Sequence, residues 1–185
     1  IGAQLTFIIS SLDNLKYGFK LPEKLSSKLK YISEFTTTTI YELRDTIWAM
    51  NKSKITFEDL QIRISNFIEK ANLAAQNIDF KFKVEDSVDR SISFTSVRGM
   101  NIYRIIQEAI NNSIKYAEAS EIEVVISKEE HQMKITIKDN GEGFDKGKVE
   151  LGNGLYNMKK RSMDINGSLN IDSTINIGTT IILRL

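Results

Sequence analysis

The sequence has no cysteine, one histidine and one proline among its 185 residues. Without cysteine the chain cannot form a disulfide, a thiolate metal site or a cysteine nucleophile. A single histidine, His131, excludes a metal site built from several histidines. Apolar runs fall far short of the roughly 20 residues that a membrane-spanning helix needs, and no signal peptide is visible.

An excess of one charge is also lacking. Lysine and arginine total 25, aspartate and glutamate total 24, and the formal net charge is +1. This balance argues against a nucleic-acid or membrane-surface footprint. A hydrophobic fraction of 41% is ordinary for a globular protein. The sequence begins inside an apparent helix, from which we expect it to be a piece of a longer protein.

The first fifty residues carry apolar side chains at intervals of three and four. One such seam runs through residues 5–19 and a second through residues 25–50, with Pro22 between them. The pattern predicts two helices joined by a short turn, an antiparallel hairpin over residues 1–50. Pairing with a second copy into a four-helix bundle would bury the exposed seams.

After a polar linker expected at residues 51–56, helical and strand patterns mix along the chain. Together they predict an α+β fold over residues 57–185, a two-layer α/β sandwich. Helices are predicted over 56–75, 101–117 and 155–166, and strands over 78–84, 121–127, 132–138, 168–174 and 179–185.

The predicted helix at 101–117 carries Glu108 and Asn112 on one face, because residues four apart stack on a helix. A carboxylate and an amide oxygen so placed suit Mg²⁺, a hard ion that accepts few protein ligands. Taken alone, such a pair is more often an ordinary solvated face of a helix.

The segment DNGEGF follows directly after a predicted strand. Asp139 ends the strand, and Gly141 and Gly143 permit close backbone approach. A buried carboxylate here would accept a hydrogen bond from the exocyclic amine of adenine and would disfavour guanine, which has a carbonyl there. An ordinary hairpin turn is the alternative.

Two further glycine segments complete the set. In LGNGLYNMKKR, Gly152 and Gly154 precede Leu155 and a helix whose free amides would suit phosphate. The short segment between Phe144 and Gly152 is typical of a small lid. In NIGTT, the Thr179 hydroxyl would hydrogen-bond Asp139, although a simple turn followed by a strand also explains it.

In this order the four segments resemble the N, G1 and G2 boxes and the terminal Gly-Thr of the GHKL (Bergerat-fold) ATPases. The chain is most similar to sensor histidine kinases of two-component systems, in particular the subfamily with the motif QEAxxNxxKHA. The segment ELRDTIWAMN (residues 42–51), just before the ATPase-like part of the chain, resembles that subfamily's dimerisation helix. Tyr116 stands where the subfamily motif has histidine.

This resemblance implies Mg²⁺ and ATP as cofactors. Asn112 would hold Mg²⁺, Glu108 would touch it through water, and Asp139 would contact adenine. The wall of the adenine site, the phosphate contacts and the support of Asp139 would come from the remaining motif residues: Gly141, Gly143, Gly152, Gly154, Leu155 and Thr179.

The resemblance also implies an activity: transfer of the γ-phosphoryl group of ATP to a histidine, and from there to a response-regulator receiver domain. The register places that histidine three positions before Ile1, so this chain by itself is not expected to autophosphorylate. Residues 1–50 would form the homodimer, in the cytoplasm, with the full-length protein anchored in the inner membrane. The alternatives are another GHKL-type ATPase and a non-catalytic module that senses nucleotide or dimerises.

Overall fold

A computed structural model describes residues 2–19, 21–50, 52–145 and 153–185. The chain divides into two compact units, Ile1–Lys52 and Ser53–Leu185. In the first unit, α1 (Gly2–Gly18) packs against α2 (Glu23–Met50). Within the described ranges, no helix combines the length and apolar character that crossing a membrane requires.

The start of α2 follows from Pro22, which has no amide hydrogen and suits the entry to a helix. Its carbonyl accepts hydrogen bonds from the amides of Leu25 and Ser26, at 2.9 and 3.0 Å. Further along, Thr36, Thr37 and Thr39 donate their hydroxyls to carbonyls four residues earlier, as from Thr36 to Ile32 at 2.7 Å. These bonds let β-branched polar residues remain inside a helix.

The second unit combines helices with two sheets. A five-stranded sheet has the order β2-β4-β5-β7-β6, in which β2 and β4 are parallel and the other neighbours antiparallel. The elements are β1 (Lys54–Thr56), α3 (Phe57–Ala74), β2 (Asp79–Val84), β3 (Ser93–Thr95), α4 (Ser96–Tyr116), β4 (Glu121–Glu129), β5 (Gln132–Asp139), α5 (Asn153–Asp164), β6 (Ser168–Thr174) and β7 (Gly178–Arg184).

The core lies between one face of this sheet and the helices. Side chains in β4 and β5 alternate between buried and partly exposed, as the period of a strand requires. Ile135 at the centre of β5 is fully buried, as are Ile102 and Ile105 of α4. The structure confirms the predicted α+β fold with its mixed sheet and helices. Asp139, the last residue of β5, occupies a core-facing position.

Two short strands differ from the sequence-based expectation. β1 pairs antiparallel with β3, and Ile55 of β1 is fully buried. The predicted linker at 51–56 therefore ends in a strand that belongs to the second unit. β3 leads directly into α4, which begins five residues before the predicted start. The helix begins there because Thr95 caps it: the Thr95 hydroxyl oxygen accepts a hydrogen bond from the Arg98 amide at 3.2 Å.

Candidate functional site

A cavity of about 600 Å³ opens between α4, α5 and the ends of β5 and β7. Both polar and apolar side chains line it, as is usual for a small-molecule site. Among the sequence-predicted residues, the lining includes Glu108, Asn112, Asp139, Gly143, Gly154, Leu155 and Thr179. The other lining residues are Ala109, Ser113, Tyr116, Ala117, Phe144 and Ile181.

Asp139 is 4% exposed and is held by three hydrogen-bond donors. The Ser113 hydroxyl donates to its Oδ2 at 2.7 Å. The backbone amides of Gly141 and Thr179 donate to its Oδ1 at 3.1 and 3.0 Å. Three donors fix the orientation of the carboxylate and compensate for its removal from water.

Glycines let the backbone close tightly around this carboxylate. A Cβ on Gly141 would overlap the carbonyl oxygen of Ala117. Gly178 has a φ of +118°, and a Cβ there would overlap the carbonyl oxygen of Asp139 itself. Gly141 is needed because a side chain would not fit, and Gly178 is needed both for space and for its positive φ.

Glu108 and Asn112 lie one turn apart on the half-buried side of α4, at the cavity. Gly154, near the start of α5, approaches them so closely that a Cβ would overlap Oε1 of Glu108 and lie 3.4 Å from Nδ2 of Asn112. The structure thus brings together a carboxylate, an amide and the first turn of a helix. These are oxygen donors of the type that Mg²⁺ accepts, next to amides of the type that bind phosphate.

α5 is held against α4 at its other end by a polar contact. Nη1 of Arg161 donates to Oδ1 of Asn101 at 3.1 Å, and Asn101 is 8% exposed. Met158, between Gly154 and Arg161 on α5, is fully buried. Arg161 therefore fixes the register of the two helices that carry the polar side of the cavity.

Thr179 contributes in a different way from the one predicted. We expected its hydroxyl to bond Asp139, but the bond comes from its backbone amide. The Thr179 hydroxyl instead lies 3.0 Å from Oγ of Ser173, in hydrogen-bonding distance. The chain direction at the start of β7 points the amide at the carboxylate, so the side chain is free for another partner.

Gly152 and most of the predicted lid, residues 146–152, lie outside the described residues. Sequence reasoning did not assign six of the cavity residues to the site: Ala109, Ser113, Tyr116, Ala117, Phe144 and Ile181. Tyr116 is 73% exposed. A signal existed for Ser113, a polar residue on the otherwise apolar face of α4.

Comparison with known proteins shows which proteins this chain is similar to. Residues 98–185 match the model of the histidine kinase-, DNA gyrase B- and HSP90-like ATPases. The chain is 30% identical over 188 residues to the sensor histidine kinase YxjM of Bacillus subtilis strain 168, covering 100% of this chain and 44% of that protein. It spans less than half the length of the curated relatives it matches.

Solved structures agree on the fold. The histidine kinase domain of the blue-light activated kinase from Erythrobacter litoralis EL346 has a TM-score of 0.61 at 14% identity, covering 99% of this chain and 94% of that chain. Full-length ShkA, solved in complex with AMPPNP, has a TM-score of 0.64 at 14% identity, covering 98% of this chain and 42% of that chain.

Proposed function

This chain belongs to the sensor histidine kinases, and from that premise we propose that the cavity binds ATP with Mg²⁺ for phosphoryl transfer to a histidine. The observation that carries the proposal is the buried carboxylate of Asp139, held by three donors at the inner end of a cavity whose other side has Glu108 and Asn112. The ATPase family match and the AMPPNP bound to the similarly folded ShkA support a nucleotide ligand.

Asp139 would recognise adenine. Its three donors leave about one lone-pair site open, on Oδ2, and an ionised carboxylate only accepts hydrogen bonds. The exocyclic amine of adenine provides a donor, whereas guanine has a carbonyl oxygen at that position. The apolar lining from Ala109, Ala117 and Ile181 suits a flat base.

Asn112 and Glu108 would hold Mg²⁺, Asn112 directly and Glu108 through water. Bound Mg²⁺ neutralises charge on the phosphate oxygens, which is much of what a protein must supply in phosphoryl transfer. Glu108 and Asn112 keep their positions because α4 is anchored in the core and α5 packs against it. The approach of Gly154 puts the start of α5, rich in free amides, beside them.

The phosphoryl acceptor would be a histidine other than His131. His131 is exposed in the turn between β4 and β5, at the opposite end of β5 from Asp139. An eight-residue strand spans about 25 Å, which is much too far for direct transfer within this unit.

The hairpin of α1 and α2 would form a homodimer through its exposed apolar side chains, and a response-regulator receiver domain would receive the phosphoryl group. This part of the protein would work in the cytoplasm, where ATP is available. Phe7, Tyr17 and Met50 are 73, 81 and 78% exposed, and exposed apolar side chains in such number are typical of an interface.

Calorimetric titration of the chain with ATP and GTP, with and without Mg²⁺, tests the site. We expect ATP to bind, GTP to bind much more weakly, and Asp139→Asn to lose about 10-fold or more of the ATP affinity because an acceptor becomes partly a donor. Asp164→Asn, at the exposed end of α5, is the matched control. Unchanged ATP binding by Asp139→Asn refutes the adenine contact.

Phosphoryl transfer needs a second experiment with a version of the protein that includes residues upstream of Ile1. Labelled ATP should give acid-labile, alkali-stable phosphate on the dimer. ATP hydrolysis without any phosphohistidine would instead favour another ATPase of the same superfamily.

A further inference from the structure

The loop after β5 and the hairpin between β6 and β7 hold each other at the cavity. The Asn176 amide donates to the Glu142 carbonyl at 2.6 Å. Gly143 has a φ of +60°, and a Cβ there would overlap the carbonyl oxygen of Thr174. The end of β6 therefore determines where the loop that leads to Phe144 can lie.

Ser173 is at the centre of this contact. Its Oγ accepts a hydrogen bond from the Phe144 amide at 2.8 Å and lies 3.0 Å from Oγ1 of Thr179. The Thr179 amide in turn donates to Oδ1 of Asp139 at 3.0 Å. Residue by residue, these contacts connect Phe144 through Ser173 and Thr179 to Asp139.

Ser173 itself stands behind the wall of the cavity. Phe144, Thr179 and Asp139 line the cavity, whereas Ser173 is absent from the lining among the described residues. An effect of Ser173 on a bound molecule must therefore pass through its neighbours.

The strand pattern gives no structural reason for a hydroxyl here. Leu169, Ile171 and Ser173 alternate along β6 on the side that is partly or fully buried, and the first two are apolar. An apolar residue at 173 would continue the pattern and suit a strand. It would also leave the Phe144 amide without its acceptor.

We propose that Ser173 is a positioning residue for the nucleotide site, whose hydroxyl fixes the Phe144 wall relative to the Asp139 carboxylate. The inference rests on the proposed function, since positioning matters only if a nucleotide fills the cavity. Ser173 would thus affect nucleotide binding although it does not line the cavity.

The test compares two substitutions of nearly equal shape. Ser173→Thr keeps the hydroxyl and Ser173→Val replaces it with a methyl group, and both are good strand formers. Ser168→Ala, at an exposed position of the same strand, is the control. Affinity for a non-hydrolysable ATP analogue is measured by calorimetry, hydrogen exchange of the Phe144 amide by NMR, and folding by urea denaturation.

We expect Ser173→Val to bind the analogue about 5- to 10-fold more weakly and to exchange the Phe144 amide faster by a similar factor, as the loss of one hydrogen bond implies. Ser173→Thr should remain within about 2-fold of wild type in both measurements. If the valine variant does not fold, Ser173→Ala replaces it, because alanine introduces no new bulk.

Two results overturn the inference. In the first, the valine and threonine variants both bind the analogue as wild type does. In the second, both bind it equally weakly, which would show that side-chain volume rather than the hydroxyl matters. Failure of the wild-type chain to bind the analogue refutes the proposed function instead, and is seen before any variant is compared.

Discussion

The helices α1 and α2 carry apolar residues at intervals of three and four, as α3 and α4 do, but they bury far fewer of them. Among the described side chains of α1 and α2, Ile40 is the one buried apolar residue, at 7% exposed. In α4, Ile102, Ile105 and Ile110 are all 0% exposed. Among the described residues, the same kind of sequence pattern is buried within its own unit in α4 and stays largely exposed in α1 and α2.

This difference teaches how periodicity should be interpreted. An apolar seam predicts that one face of a helix is buried, but it does not identify the surface that buries it. The second unit covers its helices with its own sheet, so its stability is a property of one chain. The hairpin leaves its seams open, so we expect its stability to depend on protein concentration.

The largest effect should come from the core of the second unit. Ile135→Ala removes a fully buried side chain from the central strand and should lower the free energy of unfolding of that unit by about 3 kcal/mol. Trp48, the chain's single tryptophan, lies on α2 and reports on the hairpin by fluorescence.

In urea titrations, hydrogen exchange of the second unit should shift with Ile135→Ala while the Trp48 fluorescence transition stays in place. The control is Ile62→Ala, at a position 53% exposed, which should change little. A joint shift of both signals would show that the two units unfold together and would remove the contrast.

The second effect concerns the hairpin. Ile32 is 44% exposed, and Ile32→Glu places a charge on the seam. If a second copy covers the seam, the dimer should weaken by about 10- to 100-fold, because the lost burial of an isoleucine is worth about 1.5–3 kcal/mol. Sedimentation at several concentrations measures this.

Lys30→Glu, two residues from Ile32 and so on another face of the same helix, makes a larger charge change at a side chain that is 67% exposed and should leave the dimer intact. A wild-type chain that is monomeric at all concentrations would contradict the pairing, and the exposed seam would then need another partner.

The third effect separates binding from stability within the second unit. Gly154→Ala should push the Glu108 carboxylate aside. Mg²⁺-dependent nucleotide binding should weaken by about 10-fold, which is roughly the effect of losing one hydrogen bond to a charged group. Stability should stay equal or rise, because alanine favours a helix over glycine by up to about 1 kcal/mol.

Calorimetry with and without EDTA, together with thermal unfolding, checks both predictions, and Asn157→Ala on exposed α5 surface is the control. Loss of stability in parallel with loss of binding would mean that Gly154 is a packing residue alone.

The smallest effect is electrostatic. Glu129 accepts hydrogen bonds from Lys134 at 2.8 Å and Arg184 at 2.6 Å, joining three strands. These two bonds lower the pKa of Glu129 from its ordinary value of 4.5. A lowered folded-state pKa contributes stability above the unfolded-state pKa, and this contribution is lost as pH falls through the folded-state pKa.

Wild type should therefore be slightly more stable than Glu129→Gln at pH 7, with the gap closing below about pH 4.5. Urea midpoints of the second unit between pH 3 and 7 measure it. The hairpin signal from Trp48 should show no difference between the two proteins, and a pH-independent gap would assign the effect to packing.

The elements with a clear period could be predicted from the sequence. β5 alternates through Met133, Ile135 and Ile137, and the structure has a strand there. β1 and β3 have three residues each, too few to show a period. The early start of α4 was missed because its first turn is marked by the Thr95 cap rather than by apolar spacing.

For the cavity, the motif residues could be predicted, but their bonds could not. Ser113 meets Asp139 across 26 positions of sequence, which no local rule predicts. The predicted hydroxyl bond from Thr179 was wrong because the path of the backbone, not the residue type, decides whether amide or side chain faces the carboxylate.

The order of the strands also has a kinetic consequence. β4 with β5 and β6 with β7 are neighbours in sequence and can pair early, whereas β2 with β4 and β5 with β7 must each close a long intervening segment. Asp139 ends β5 and is held from α4 by Ser113 and from β7 by Thr179. We expect this carboxylate to acquire all its hydrogen-bond donors in the last, slow steps of folding. During refolding, nucleotide binding should therefore appear only once the sheet is complete.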